Sequence, residues 1–174
     1  MKIICDNQYF LYGLKALCPD LERRLSPGVC SETVFIISSV SPPEIFRFLS
    51  ANLYRYRSIV FYASPDAMRF LYGVVDGTVY DILTLIPPLL YHERKIPEKA
   101  YISTTMIHLT DRQHMVKVIL LNGISLSRGA LLLGISLNTL SAHKQNLMQR
   151  LKVRNDMELL YKVIILSEKF MSDN

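Results

Sequence analysis

The chain has 174 residues and a mass of 20.0 kDa, which suffices for one medium domain or two small ones and excludes a large multidomain enzyme. Half of the residues are hydrophobic and the formal net charge is +5, so a packed core can form and wholesale disorder is excluded. The longest apolar runs, such as Val118–Leu121, are far shorter than the roughly 20 residues of a membrane-spanning helix. We therefore expect no contact with a membrane.

The positive charge is concentrated in the last third of the chain. Residues 1–107 contain 11 lysines and arginines against 10 acidic residues, whereas residues 108–174 contain nine against five. Residues 136–154 include four cations and no acidic residue. This distribution indicates contact with a polyanion, although a solvated helical face has the same composition.

The three cysteines, Cys5, Cys18 and Cys30, have no metal-ligand spacing and leave an odd thiol. Such cysteines are typical of a reducing compartment. The apolar run at the N-terminus is only two residues long, which fits neither a secretory nor a lipoprotein signal. A cytoplasmic protein is therefore expected.

Residues 1–91 alternate short β-rich runs with helical stretches, which predicts an α/β domain with a mostly parallel sheet. The predicted elements are a strand at 2–5, a helix at 7–17, a strand at 33–38, a helix at 43–53, a strand at 58–62, a helix at 65–72, a short strand at 73–75 and a helix at 79–90 that Pro87 and Pro88 interrupt. Residues 92–107 lose the apolar periodicity and are predicted to be a linker.

Residues 108–174 are predicted to form an all-α domain of four helices. Thr110 and Gln113 have the spacing of a capping box at the start of the first helix. The other expected end signals are Gly123, Ser125, Gly134, Ser136 and Asn155. A short helix, a tight glycine turn and a longer basic helix together indicate a helix-turn-helix. In the third helix, the residues expected to be buried are Leu137, Leu140, Leu147 and Leu151.

The motifs of this region resemble the LuxR/FixJ-type DNA-binding domain. They are Leu109-Thr-Asp-Arg-Gln113, Leu120-Leu-Asn-Gly-Ile-Ser125, Leu133-Gly-Ile-Ser136, Thr139-Leu-Ser-Ala-His-Lys144 and Leu151-Lys-Val-Arg-Asn155. The resemblance extends from residue 109 to about 165 and implies a sequence-specific transcriptional regulator that binds double-stranded DNA, with no enzymatic activity and no cofactor. The alternative is a small helical bundle that binds only protein.

The same resemblance implies which residues of the third helix contact DNA. Ser141, Ala142 and Gln145 would meet base edges, because glutamine can pair with adenine and alanine can touch a thymine methyl group. Lys144 and Arg150 suit phosphates. The full predicted DNA-binding set is Thr139, Ser141, Ala142, Lys144, Gln145, Gln149 and Arg150.

The fourth helix, predicted at 156–169, carries two apolar stripes. Met157, Leu160 and Ile164 are expected to complete the core, which leaves a second stripe of Leu159, Val163 and Leu166. An exposed apolar stripe is costly unless it is covered. The resemblance implies that this helix pairs two domains across a two-fold axis, and the alternative is that the N-terminal domain covers the stripe within one chain.

Two features keep a second function open. The run from Thr139 to Asn146 is similar to the branch of the family that includes the Rcs capsule regulators, which implies a homodimer or a heterodimer with another LuxR-type regulator. Arg128 and Gly129 stand where the family usually has an acid and a branched aliphatic residue. Glycine destabilises a helix by roughly 1 kcal/mol relative to alanine. The alternative function is therefore an auxiliary protein-interaction subunit that modulates another LuxR-type regulator and has little DNA affinity of its own.

The N-terminal region resembles a response-regulator receiver domain at its start, from the isoleucines before Asp6-Asn7 to Leu17. Phosphoryl transfer to aspartate requires an acidic cluster for a metal, an aspartate after the central strand and a lysine after the last strand. Only Asp6 fits, and Asp76 follows the predicted last strand where a lysine is needed. We predict a degenerate, phosphorylation-independent receiver-like domain with one strand–helix unit missing; the alternative is an unrelated small α/β domain.

No other chemistry is expected. The four histidines, His92, His108, His114 and His143, are scattered and have no metal-ligand spacing. Serines near strand ends lack the G-x-S-x-G turn of a nucleophile. The sequence therefore predicts neither a metal site nor a catalytic site.

Overall fold

The computed structural model of the protein describes residues 1–25, 33–56, 59–86 and 101–172. Within these ranges it contains five strands and eight α-helices. They are β1 Lys2–Cys5, α1 Gln8–Leu17, α2 Leu21–Arg24, β2 Thr33–Ile37, α3 Pro42–Asn52, β3 Ile59–Ala63, α4 Pro65–Leu71, β4 Gly77–Asp81, β5 Tyr101–Thr104, α5 Asp111–Leu121, α6 Leu126–Leu133, α7 Leu137–Arg150 and α8 Asp156–Ser172. In the part of the chain that is described, no helix is long and apolar enough to cross a membrane.

The five strands form one sheet in the order β1-β2-β3-β4-β5, in which β1 to β4 are parallel and β5 is antiparallel to β4. The predicted α/β fold class is confirmed. A receiver-type sheet has the order 2-1-3-4-5, and removal of its second strand leaves four parallel strands in the order seen here. This order fits the predicted absence of one strand–helix unit.

Helices cover both faces of the sheet. The side chains of Val34, Ile36 and Tyr62 pack against α1 and α2, whereas Phe35 and Phe61 pack on the other face against α3 and α4. The described helices between β1 and β2 thus lie on one face of the sheet, and α3, between β2 and β3, lies on the other.

The region from residue 73 to 86 differs from the prediction. The expected strand at 73–75 is a turn, in which Gly73 has φ +76°, a backbone conformation outside the β region. The expected helix from Val79 is wrong over its described part, because residues 77–81 form β4 and Ile82–Leu85 form a short 3-10 helix. Thr78, Val79 and Tyr80 are β-branched or aromatic residues that favour a strand. Residues 87–90 lie outside the described residues.

Part of the predicted linker is also a strand. Tyr101–Thr104 form β5, with Gly77 paired to Thr104 and Tyr80 paired to Tyr101. The Thr104 hydroxyl accepts a hydrogen bond from the Gly73 amide (2.9 Å). The prediction of a linker is therefore wrong for these four residues; residues 92–100 lie outside the described residues.

The C-terminal helices α5 to α8 form the predicted all-α domain around their own core. Its buried members are Val116, Ile119, Ala130, Leu140, Leu147, Leu151, Leu159, Val163 and Leu166. Leu137 was expected to be buried in this core, but 45% of it is exposed. Leu137 is the first residue of α7, where the side chain lies beyond the end of the core.

Candidate nucleic-acid interface

The helix-turn-helix is built by local hydrogen bonds at the helix ends. The Ser125 hydroxyl accepts from the Arg128 amide (3.3 Å) at the start of α6, and the Ser136 hydroxyl accepts from the Thr139 amide (3.0 Å) at the start of α7. Between them Gly134 has φ +64°, which glycine adopts without strain. The predicted caps and turn are thus present, and they fix the direction in which α7 leaves α6.

Gly129 lies where α6 packs against α5. A Cβ atom at this position would lie 2.6 Å from Cδ1 and 3.1 Å from Cγ1 of Ile119, which is itself buried. The absence of a side chain allows α6 to approach α5 closely. The close contact offsets part of the roughly 1 kcal/mol that glycine costs inside a helix.

The end of α7 is tied to the start of α5. Thr110 and Gln113 form the predicted capping box, with distances of 3.1 Å from the Thr110 amide to Gln113 Oε1 and 3.4 Å from the Gln113 amide to the Thr110 hydroxyl. Gln113 Oε1 also accepts from Nη1 of Arg150 (2.9 Å). Arg150, predicted to bind a phosphate, therefore already has one partner within the chain.

The polar face of α7 is open to solvent with both domains in place. Of the predicted DNA-binding residues, Thr139, Ala142, Gln145, Gln149 and Arg150 are exposed. Ser141 and Lys144 are half-buried at the edges of the face. Leu140 and Leu147 are fully buried on the opposite side of the helix. All seven predicted residues thus lie on α7, and five of them are exposed to solvent.

Lys144 differs from the exposed members of the set. Its Nζ lies 2.6 Å from Oδ2 of Asp156, the first residue of α8, and only 13% of the lysine side chain is exposed. The ion pair holds the middle of α7 to the start of α8. Asp156 is thus an acidic residue at the edge of this face, and residues 112–155 contain no other.

The apolar stripes of α8 are the reverse of those predicted. Leu159 and Val163 are 0% exposed and Leu166 is 3% exposed, and all three belong to the core of the helical domain. The prediction that they form a dimer surface is therefore wrong. The outer stripe consists of Met157, which is 56% exposed, with the half-buried Leu160 and Ile164.

A third face of α8 contacts the N-terminal domain. The rings of Tyr161 and Phe46 on α3 stack with centroids 4.8 Å apart, and Ile165 is buried in the core that α3 and α4 form with the sheet. The N-terminal domain therefore covers this face of α8, and the helical domain itself covers the stripe of Leu159, Val163 and Leu166.

Charged side chains cross the same junction. Both oxygens of Glu158 accept hydrogen bonds from the Arg69 guanidinium at 2.8 Å, and Oε2 also accepts from the Arg154 amide (2.8 Å). The hydrogen bonds with Arg69 lower the pKa of Glu158 against the opposing effect of burial, and the same bonds raise the pKa of Arg69. A two-pronged pair of this kind is among the strong charged hydrogen bonds.

Lys162 lies at the centre of the junction and is 0% exposed. Its Nζ donates to the carbonyl oxygens of Arg69 (3.1 Å), Tyr72 (2.9 Å) and Leu151 (2.6 Å). The pKa of Lys162 is lowered to about 7, chiefly by burial and also by the charges of Arg69 and Lys152, while the charge of Glu158 opposes this shift. Sequence analysis did not identify this residue, although a lysine between Tyr161 and Val163 is an unusual member of an apolar stretch.

Polar groups at the carboxyl ends of β1 and β2 form hydrogen bonds with one another. Oδ1 of Asp6 accepts from the amide and the hydroxyl of Ser38, each at 2.9 Å, and Oδ2 accepts from the Ser39 amide (2.8 Å). Ser38 directly follows β2. The Asp6 carboxylate is therefore satisfied by hydrogen bonds from the chain itself.

Comparisons with known proteins agree with this geometry. A model of the GerE domain, described as bacterial regulatory proteins, luxR family, matches residues 108–163. The chain also resembles a solved structure of two RcsB dimers bound to two parallel DNAs, with 16% identity, coverage of 95% of this chain and 98% of that chain, and a TM-score of 0.50; this likeness concerns the fold. A search of curated proteins gave no significant match. Residues 108–163 thus match the GerE domain of the luxR family of bacterial regulatory proteins, and the chain has an RcsB-like two-domain fold.

Proposed function

We propose that this protein is a cytoplasmic, sequence-specific transcriptional regulator that reads double-stranded DNA with α7. The observation that carries the proposal is the polar face of α7, which remains exposed while both domains are packed together and which belongs to a luxR-family domain. A recognition helix enters the major groove with such a face.

Two kinds of contact are assigned to this face. Ser141, Ala142 and Gln145 contact base edges, and Gln145 is able to form a bidentate pair with adenine. Thr139, Gln149 and the cations of α7 face the phosphates, which fix the register without reading sequence. The absence of acidic residues from 112 to 155 supports this assignment, because carboxylates near phosphates would repel them.

DNA binding in this proposal does not depend on phosphorylation of the N-terminal domain. Asp6 already accepts three hydrogen bonds from Ser38 and Ser39, so its oxygens are not free to form the acidic metal site that phosphoryl transfer requires. Treatment with acetyl phosphate should leave the intact mass unchanged, and an added mass of about 80 Da, that of one phosphoryl group, would contradict this part of the proposal.

Dimerisation is assigned to the outer stripe of α8. On one side of the helix Met157 is exposed and Leu160 and Ile164 are half-buried. The apolar surface that remains accessible there favours burial against a second luxR-type domain. Met157→Asp should abolish dimers in sedimentation experiments and leave the melting temperature unchanged. Tyr9→Asp is the matched control, because Tyr9 is 88% exposed on α1; equal behaviour of the two variants would reject this surface.

The primary test is selection of binding sites from a random double-stranded DNA library, followed by fluorescence anisotropy with the selected site. We expect one enriched sequence with related half-sites about one helical turn apart. The selected site should bind at least about 1,000-fold more tightly than a scrambled one. A library that yields no enriched sequence, with equal affinity for all DNA, would overturn sequence-specific regulation.

The second candidate function is an auxiliary subunit of another LuxR-type regulator. The pairing of Lys144 with Asp156 favours it, because an engaged cation contributes less to phosphate binding. Leu131 and Leu132 on α6 are 83% and 67% exposed and are suited to a protein contact. In this case the pure chain would select no site alone, and a mixed dimer with the partner regulator would bind that regulator's site with altered affinity.

A further inference from the structure

The three carbonyl groups around Lys162 come from the ends of two helices. Arg69 and Tyr72 lie at the end of α4, and Leu151 directly follows the last residue of α7. The final carbonyls of a helix have no partner within it, and a cation is favourable at this end. One ammonium group therefore supplies the hydrogen bonds that the ends of both helices lack.

The number of donors on the Lys162 ammonium also equals the number of carbonyl acceptors around it. An ammonium has three N–H bonds and no acceptor, and Lys162 has three carbonyl acceptors at 2.6 to 3.1 Å, so the match holds for the protonated side chain, below its pKa of about 7. A side chain that is 0% exposed cannot replace any of these bonds with bonds to water. Loss of the amine would leave the buried Leu151 carbonyl and the partly buried Arg69 and Tyr72 carbonyls without this donor, which is a costly arrangement.

Neighbouring contacts join the turn after α4 to the helical domain at two further places. The Lys152 ammonium lies 3.7 Å from the centre of the Tyr72 ring, and the Ile107 amide donates to the Gly73 carbonyl (3.0 Å). A Cβ atom on Gly73 would lie 2.5 Å from Ile107, so the turn after α4 approaches the helical domain as closely as a backbone can. Lys162 lies within this closely packed region.

We infer that Lys162 is a positioning residue for DNA binding, because it fixes the C-terminal end of α7 to the N-terminal domain. The N-terminal domain thereby influences how tightly the exposed face of α7 binds DNA, although it does not cover that face. The inference rests on the proposed role of α7. A recognition helix that is held at its buried end loses less orientational freedom on binding, and preorganisation of this kind raises affinity.

The test compares three full-length proteins on the selected DNA site at a temperature below every melting point. Lys162→Met keeps the length of the side chain and removes the donors, and we expect about tenfold weaker binding, within the usual range of coupling between sites. Leu14→Ala is the structural control, because Leu14 is buried on α1 among residues of the other sheet face. It should lower the melting temperature without changing the affinity.

The outcomes separate this inference from the proposed function. Wild-type affinity in Lys162→Met, or an equal loss of affinity in Leu14→Ala, would overturn the positioning role and leave DNA reading by α7 intact. A wild-type protein that binds no DNA would overturn the proposed function together with the role in affinity. Weaker binding by Lys162→Met alone would support the inference.

Discussion

The junction between the domains and the outer face of α7 are both polar, but they use their polar groups differently. At the junction, Arg69, Glu158 and Lys162 are bonded to partners within the chain. On α7, Gln145 and Gln149 are exposed. Buried polar groups must be satisfied inside the protein, whereas exposed groups remain available for a ligand. Burial and hydrogen-bond partners within the chain, rather than residue type, therefore distinguish a structural polar cluster from a candidate binding face.

The first expected effect tests the junction between the domains through the pH dependence of stability. Lys162 has a pKa of about 7 in the folded protein, against the ordinary 10.5. Below pH 7 both states hold the proton, and above it the unfolded chain holds a proton that the folded chain has released. The free energy of unfolding should therefore rise with pH above 7, by up to about 1.4 kcal/mol per pH unit for one proton, as measured by urea denaturation.

Lys162→Met should lack this rise, and Lys15→Met, at an exposed position on α1, should retain it. Measurements are best kept below pH 8.5, since burial raises the pKa of the Cys5 thiol from 9.0 to about 11, which lowers stability at higher pH. Parallel curves for the wild type and Lys162→Met would assign the pH dependence to another group.

The next effect concerns Asp6, a second internally bonded polar group. Asp6→Ala removes the acceptor of three hydrogen bonds from Ser38 and Ser39, and hydrogen bonds to charged groups are worth about 1.5–3 kcal/mol. We expect a loss of about 2–3 kcal/mol in the free energy of unfolding by urea denaturation, with unchanged DNA affinity. A large fall in the DNA affinity of the folded variant would show that the hydrogen bonds of Asp6 also influence DNA binding by α7.

Gln145 should show the opposite pattern. Gln145→Ala is expected to cost about 1–3 kcal/mol of binding at the selected site and to relax one base position, because the bidentate pair is lost. Its melting temperature should match that of the wild type, since the side chain is exposed. Anisotropy with a set of single-base variants of the site measures both effects, and an equal loss on every sequence would exclude base reading.

The smallest effect belongs to Lys144, which shares features of both regions. It lies on α7 but pairs with Asp156 at 2.6 Å. A cation that contacts a phosphate lowers the salt slope by about one unit when it is removed, and the internal pair should reduce this change for Lys144→Ala. Arg150→Ala is the comparison variant, and a larger change of slope for Lys144→Ala would show that DNA displaces Asp156.

The sequence was informative where structure depends on local contacts. The capping box of Thr110 and Gln113, the caps Ser125 and Ser136 and the turn at Gly134 involve residues three or four positions apart. These bonds depend on side chains close in the chain, so the helix-turn-helix could be predicted.

Structure that depends on distant partners could not be predicted in the same way. The strand β4 pairs with β5, more than 20 residues later, and no periodicity within either segment reveals that pairing. On α8, a helical wheel shows two apolar stripes without showing which one is buried. Lys162 and Glu158 lie beside the inner stripe, and their charges made that side resemble a surface.

The position of Ile165 has a consequence for the order of events during synthesis. This residue of α8 is buried in the core of the N-terminal domain, more than 80 residues after β4, the last parallel strand of the sheet. Domains usually fold as they leave the ribosome, beginning with the N-terminal one. Here the N-terminal core remains incomplete until the final helix has emerged, so the two halves of the newly made chain are expected to reach their native packing together.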